Sequence, residues 1–297
     1  AGIGSGNTGV IQAMITDRTS LEKRAQYMGF LGAAIGVGFV AGPALGGLLS
    51  HFGTGPLYQV PFLMAAGFAF VALFMTTWLK GVDRDRLTPE QPGDAGTAVS
   101  RLRALMASPL ALYAIASMAL NLSFAQVEAS FVLVLRDYLG FGAIETGWLF
   151  TYIGVCIIIV QAVLIKTVVS RFGEVTTTLI GASLLALGQI VTVLIVMGLF
   201  VGNAYPLVQT FLGTTAICFG FALSTPAITA AVSKIAGETM RGGSLGMIQG
   251  FGSLGQVIGL SVAGPLYDLG GSQFPFSFGA GVTLLLVCLV PYLRRPA

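Results

Sequence analysis

Eight stretches of the chain, 27–49, 57–79, 109–135, 144–169, 176–200, 206–233, 243–267 and 274–293, are each 20 residues or longer and predominantly apolar. A helix needs about 20 such residues to cross the hydrocarbon of a bilayer. Only 9% of the 297 residues are charged and 55% are hydrophobic, whereas a soluble domain carries roughly a quarter charged residues. An all-α integral membrane protein is the expectation. A further apolar piece, 1–16, is too short to span. It starts without a Met, a basic flank or a cleavage site, so it does not read as a signal peptide. The expectation is the second half of a helix whose first half is absent, and hence an N-terminally truncated chain.

The long polar stretch "KGVDRDRLTPEQPGDAGTAVSRLRALMAS" (80–108) has Pro89, Pro92 and several glycines, which make its middle a linker. Its end suits a short amphipathic helix on the membrane surface. Two and a half helices precede it and six follow, giving units 1–79, 80–108 and 109–297. Of the 15 Lys and Arg, all but Arg136 fall on one side when loops alternate across these spans. Basic loops stay in the cytoplasm, so the linker and the C-terminus are expected there.

The segment "RAQYMGFLGAAIGVGFVAGPALGGLL" (24–49) repeats, shifted by 217 residues, as "RGGSLGMIQGFGSLGQVIGLSVAGPL" (241–266). Arg24 aligns with Arg241, Gly29 with Gly246, Gly38 with Gly255, Gly42 with Gly259 and Gly47 with Gly264. Both copies start on the cytoplasmic side, so the repeats are parallel, as in two-half transporters. Gly38, Gly42 and Gly46 lie four apart on one helix face. Small residues at that spacing let helix backbones approach, and Pro43 should bend the helix. Static packing explains the spacing alone equally well.

The full pattern, Gly29, eight residues, Gly38, three residues, Gly42-Pro43, two residues, Gly46-Gly47, resembles the fifth-helix antiporter motif of the drug–proton antiporters of the major facilitator superfamily. The N-terminal "GIGSGNTGVIQAMITDRTSLEKR" resembles that family's fourth helix and following loop. "VVSRFGEV" (168–175) resembles a worn copy of its D-R-x-G-R loop, with Ser170 where Asp is usual and Glu174 where a basic residue is usual. The resemblance implies a major facilitator fold with about eight full helices plus a partial first one, the family's helices four to twelve. It implies that the fifth and eleventh helices meet across the two halves, with Gly29, Gly38, Gly42, Pro43, Gly46 and Gly47 as gating or packing residues and not substrate ligands. Asp17, beside Arg24, would latch one state against a basic loop. A multi-pass protein of the cell membrane follows, in a bacterium the inner membrane.

Outside loops and helix ends, the one carboxylate is Glu128. Its helix is about 42 Å long at about 1.5 Å per residue, and Glu128 falls within the apolar slab. A charge near the bilayer centre costs about 2.5–3.5 kcal/mol even on the gentler scale, so a wet cavity is the expected neighbour. Ser117, Asn121, Phe124, Glu128 and Phe131 follow one another at helical spacing and form one stripe. Burial favours the protonated carboxyl. Glu128 is therefore the candidate for the coupling proton or for attracting a cationic substrate; the plain alternative is a glutamate reaching outer water. Gln249 and Gln256 form a second stripe. Gln209 and Thr214, and Asn7 and Gln12, are further candidates to line the cavity.

Cys156, Cys218 and Cys288 sit singly in apolar runs and suit helix packing, and His51 suits a solvated loop. No P-loop, phosphate cradle or metal-ligand cluster is legible, so no cofactor, no metal and no catalytic residue are expected, and the driving force would be the proton gradient. The basic residues follow topology, which leaves nothing for nucleic acid. The expectation is a monomeric secondary transporter in the lipid bilayer, not an enzyme. It would export small amphiphilic compounds or drugs in exchange for protons by alternating access. Proton symport of a sugar or metabolite, a non-transporting sensor or scaffold, and an inactive fragment are the alternatives.

Overall fold

The structure, a computed structural model, describes residues 59–78, 108–199 and 206–290 and scattered positions between 11 and 49; for 78 and 237–243 it describes the backbone alone. The helices are α1 (Gln59–Trp78), α2 (Leu110–Leu139), α3 (Ala143–Phe172), α4 (Glu174–Val196), α5 (Pro206–Ile235), α6 (Gly237–Gly270) and α7 (Gln273–Leu289). Among the described residues, six helices are long and apolar enough to cross a membrane, and α7 is a shorter apolar helix. Each matches an apolar run of the sequence.

Helix ends overrun those runs because the backbone ladder continues into polar residues until something satisfies its last carbonyls. At the end of α2, Arg136 and Asp137 remain helical, and Gly140 closes the helix at φ 65°. The Gly140 N–H bonds the carbonyl of Arg136, and the Phe141 N–H that of Leu135, both at 3.1 Å. Only a residue free to adopt a left-handed conformation makes this closure without strain. Gly173, at φ 78° but with an extended ψ, separates α3 from α4, its N–H bonding the Val169 carbonyl at 2.8 Å.

Two helix pairs form the frame. α4 and α5 run antiparallel, and α2 and α6 run parallel; α7 lies against both α2 and α4. Without water between helices, association depends on close packing, and glycine supplies it. Gly181 and Gly188 of α4 meet Gly220 and Gly213 of α5, so near that a Cβ on Gly220 would lie 2.3 Å from the Leu185 nitrogen. Gly255 and Gly259 meet the carbonyls of Met118 and Leu122 on α2, at 2.1 and 2.6 Å from a would-be Cβ.

The glycine face of α6 packs on α2, in the same half, where backbone carbonyls fill the groove that the glycines leave. The expected meeting of this helix with segment 27–49 falls largely on positions outside the described residues. In the first copy, Gly38, Gly42, Gly46 and Gly47 are helical. No described atom comes within 4 Å of a Cβ at Gly38, Gly42 or Gly46, whereas one at Gly47 would lie 3.0 Å from the Ala143 carbonyl and 3.1 Å from Gly147 Cα. The first copy thus touches the start of α3. Gly29 and Pro43 lie outside the described residues.

A polar knot fastens α2, α4 and α7 internally. Ser123 Oγ is 2.6 Å from Thr283 Oγ1 and donates to the Gly279 carbonyl at 2.9 Å. Gln189 Nε2 donates to the Ser123 carbonyl at 3.1 Å. Ser123, Gln189 and Thr283 are all fully buried, and such groups are kept only when bonded. α3 has a π-helical turn over Val160–Leu164, and α5 continues through Pro226.

Charge marks the two ends of the bundle. Lys234, at the end of α5, pairs with Glu174, at the start of α4. Arg136, Asp137 and Tyr267 cluster at the opposite end, where Tyr267 Oη donates to Asp137 Oδ2 at 2.8 Å. The lone basic residue thus stands at the far end from Lys234, as the alternation of loops requires.

Candidate functional site

The stripe on α2 faces two clefts. Ser117 and Asn121 line the first with Thr225 and Thr229 of α5 and Gln249 of α6, around a cavity of about 70 Å³. Phe124, Glu128 and Phe131 line the second with Phe150 and Ile153 of α3 and Thr214 and Cys218 of α5, around about 30 Å³. The second cleft has room for no more than about two waters. Between them the Phe124 ring stacks on Phe221, centroids 3.9 Å apart and 13° from parallel. Phe131 is buried, edge-on to Phe150 at 6.2 Å.

Glu128 is half-buried and accepts a hydrogen bond from Gln256 Nε2 at 3.0 Å. The second stripe therefore meets the first across the α2–α6 seam, where close backbone packing brings a glutamine of α6 within reach of an acid on α2. A neutral amide partner holds the carboxylate without supplying a countercharge. Two residues before Glu128, Gln126 Nε2 donates to the Gly259 carbonyl at 2.8 Å, and its Oε1 is buried with no partner among the described residues.

Thr214 Oγ1 is also buried and has no partner among the described residues. An unpaired buried hydroxyl costs about 1–3 kcal/mol. Thr214→Val is therefore expected to raise the melting temperature of the detergent-solubilised protein by a few degrees; a lower melting temperature would show that the hydroxyl is satisfied by something else.

Gln249 and Thr214 each line a cleft and Gln256 bonds Glu128, but Gln209 lies on neither cleft. Asn7, Gln12, Asp17 and Arg24 lie outside the described residues. Thr225, Thr229 and Phe221 were not singled out from the sequence. A threonine in an apolar helix often merely bonds its own turn, as Thr225 and Thr229 do, at 3.1 and 3.0 Å to the carbonyls four residues back. Only the partner helix shows that they also face a cavity.

A bundle of membrane-length helices with Glu128 in an aromatic cleft among the described residues fits one class, multi-pass transport proteins. The family model described as Major Facilitator Superfamily matches residues 1–219 and 131–297, and the chain belongs to that superfamily. The chain is 30% identical over 291 residues to "Multidrug resistance protein 1" of Bacillus subtilis (strain 168), covering 97% of this chain and 69% of the relative. It is 27% identical over 304 residues to "Tetracycline resistance protein, class C" of Escherichia coli, covering 100% and 72%. The fold matches the crystal structure of the human organic anion transporter MFSD10 (TETRAN) with a TM-score of 0.65 at 22% identity, covering 96% of this chain and 67% of that one. The chain thus spans about two thirds of the length of the proteins it matches. These relatives are transporters and resistance proteins of the superfamily, not enzymes.

Proposed function

We propose that this protein exports small amphiphilic compounds by alternating access, in exchange for protons, with Glu128 carrying the coupling proton. The observation that carries the reading is Glu128 itself: an acid within a membrane-spanning helix, in an aromatic cleft, held by an uncharged amide on a second helix. Ionisable groups in such places mark proton relays and substrate pathways. The multidrug and tetracycline resistance relatives favour outward movement of drug-like molecules. The basic loops orient the linker and C-terminus to the cytoplasm. No covalent chemistry and no cofactor take part, and a single chain suffices.

Everted membrane vesicles test the direction. With an acidic lumen, a fluorescent amphiphilic cation such as rhodamine 6G is expected to accumulate inside and to draw protons out. Collapse of the gradient with nigericin should release it. Accumulation that survives collapse of the gradient, or protons moving with the dye, would overturn proton antiport and favour a symporter or an uncoupled carrier.

A further inference from the structure

Ser117, Thr225 and Thr229 line the first cleft, and each has already spent its one hydroxyl proton. Ser117 Oγ donates to the Ile248 carbonyl at 3.2 Å, Thr225 Oγ1 to Phe221 and Thr229 Oγ1 to Thr225. Asn121 Nδ2 is engaged with the Ser117 carbonyl at 2.8 Å. A hydroxyl has one donor and two acceptor lone pairs, and an amide carbonyl has two lone pairs. The donors left are the Gln249 amide and the second Nδ2 hydrogen of Asn121; the acceptor lone pairs outnumber them, and among the described residues no Asp, Glu, Lys or Arg lines the cleft. Water or ligand that supplies hydrogens matches this lining best. A ligand group with none leaves these acceptors desolvated and unpaired, which is costly in a buried site.

We propose that this cleft is a donor-recognition subsite. It takes the N–H- or O–H-bearing end of a substrate whose aromatic body lies against the Phe124–Phe221 stack and whose far end reaches the cleft of Glu128. Asn121 and Glu128 are seven residues apart, about 10 Å along the helix axis, within the reach of one fused-ring molecule. The inference rests on the export reading above and narrows it: substrates are amines and hydroxyl compounds with free hydrogens, and fully alkylated cations are poor ones.

The test compares rhodamine 6G, which carries N–H groups, with tetraethylrhodamine ethyl ester, the related monocation whose nitrogens are fully alkylated. Binding to the detergent-solubilised full chain is followed by fluorescence anisotropy. The N–H dye is expected to bind about ten-fold tighter, which corresponds to about 1.4 kcal/mol. In the Thr225→Val/Thr229→Val double variant, which keeps side-chain shape, the preference should fall to about two-fold or less. Equal binding of the dyes by the unaltered protein, or an undiminished preference in the double variant, overturns the subsite. If the dyes bind equally and the everted vesicles still accumulate rhodamine 6G driven by the proton gradient, the export reading stands without the subsite; binding of neither dye overturns both.

Discussion

Glu128→Gln is expected to abolish transport driven by a pH gradient while leaving the protein folded and still able to exchange substrate. The amide has nearly the shape of the carboxyl, and its oxygen can still accept from Gln256 Nε2, now 3.0 Å from the acid. The variant also removes an ionisable group whose charged form would cost about 2.5–3.5 kcal/mol near the centre of a bilayer, so its thermal stability should not fall. Under the proposed antiport, what it removes is the group that carries the coupling proton. In proteoliposomes, substrate uptake under an imposed gradient should drop to the level of protein-free vesicles, with counterflow in the absence of a gradient retained. Normal pH dependence in the variant would place the coupling proton elsewhere, and loss of counterflow as well would make Glu128 a substrate ligand instead.

What the sequence showed of this arrangement, and what it hid, follows from the range of the interactions. Spans are local: each apolar run among the described residues became a helix, and Gly140 and Gly173, both at positive φ, ended theirs. The stripe from Ser117 to Phe131 was equally local, since helical spacing alone places these residues on one face. The amide stripe of α6 was visible too. That Gln256 reaches Glu128 was not, because 128 positions separate them and either stripe could have faced another helix. The knot of Ser123, Gln189 and Thr283 was hidden for the same reason: three single polar residues on three helices carry no shared spacing. The π turn at Val160–Leu164 contains neither proline nor glycine, so nothing in its composition announces it. Glycine spacing announced close packing correctly but not the partner, because a bare helix face fits any backbone that arrives at the right angle.

Gly255→Ala is expected to be the most damaging of the small substitutions. A single methyl there would sit 2.1 Å from the Met118 carbonyl oxygen, 2.9 Å from its carbon and 3.0 Å from its Cα. These are backbone atoms and cannot rotate away, so α2 and α6 must separate. Separation strains the neighbouring contacts of the seam, the bonds from Ser117 to Ile248 and from Gln126 to Gly259, and it moves Gln256 away from Glu128. Overpacking of a tight core costs about 1–3 kcal/mol and occasionally more; three backbone clashes from one atom put this case at the upper end. Gly250→Ala, five residues earlier in the same helix, is the control, since no described atom lies within 4 Å of its added methyl. There the gain in helix propensity, up to about 1 kcal/mol, should dominate. Thermal unfolding in detergent, with the yield of monodisperse protein, measures both. Equal stability of the two variants would mean that the α2–α6 seam is looser than drawn. The acid would then have no fixed partner on α6, and the proposed proton site would lose the bond that ties it to that helix.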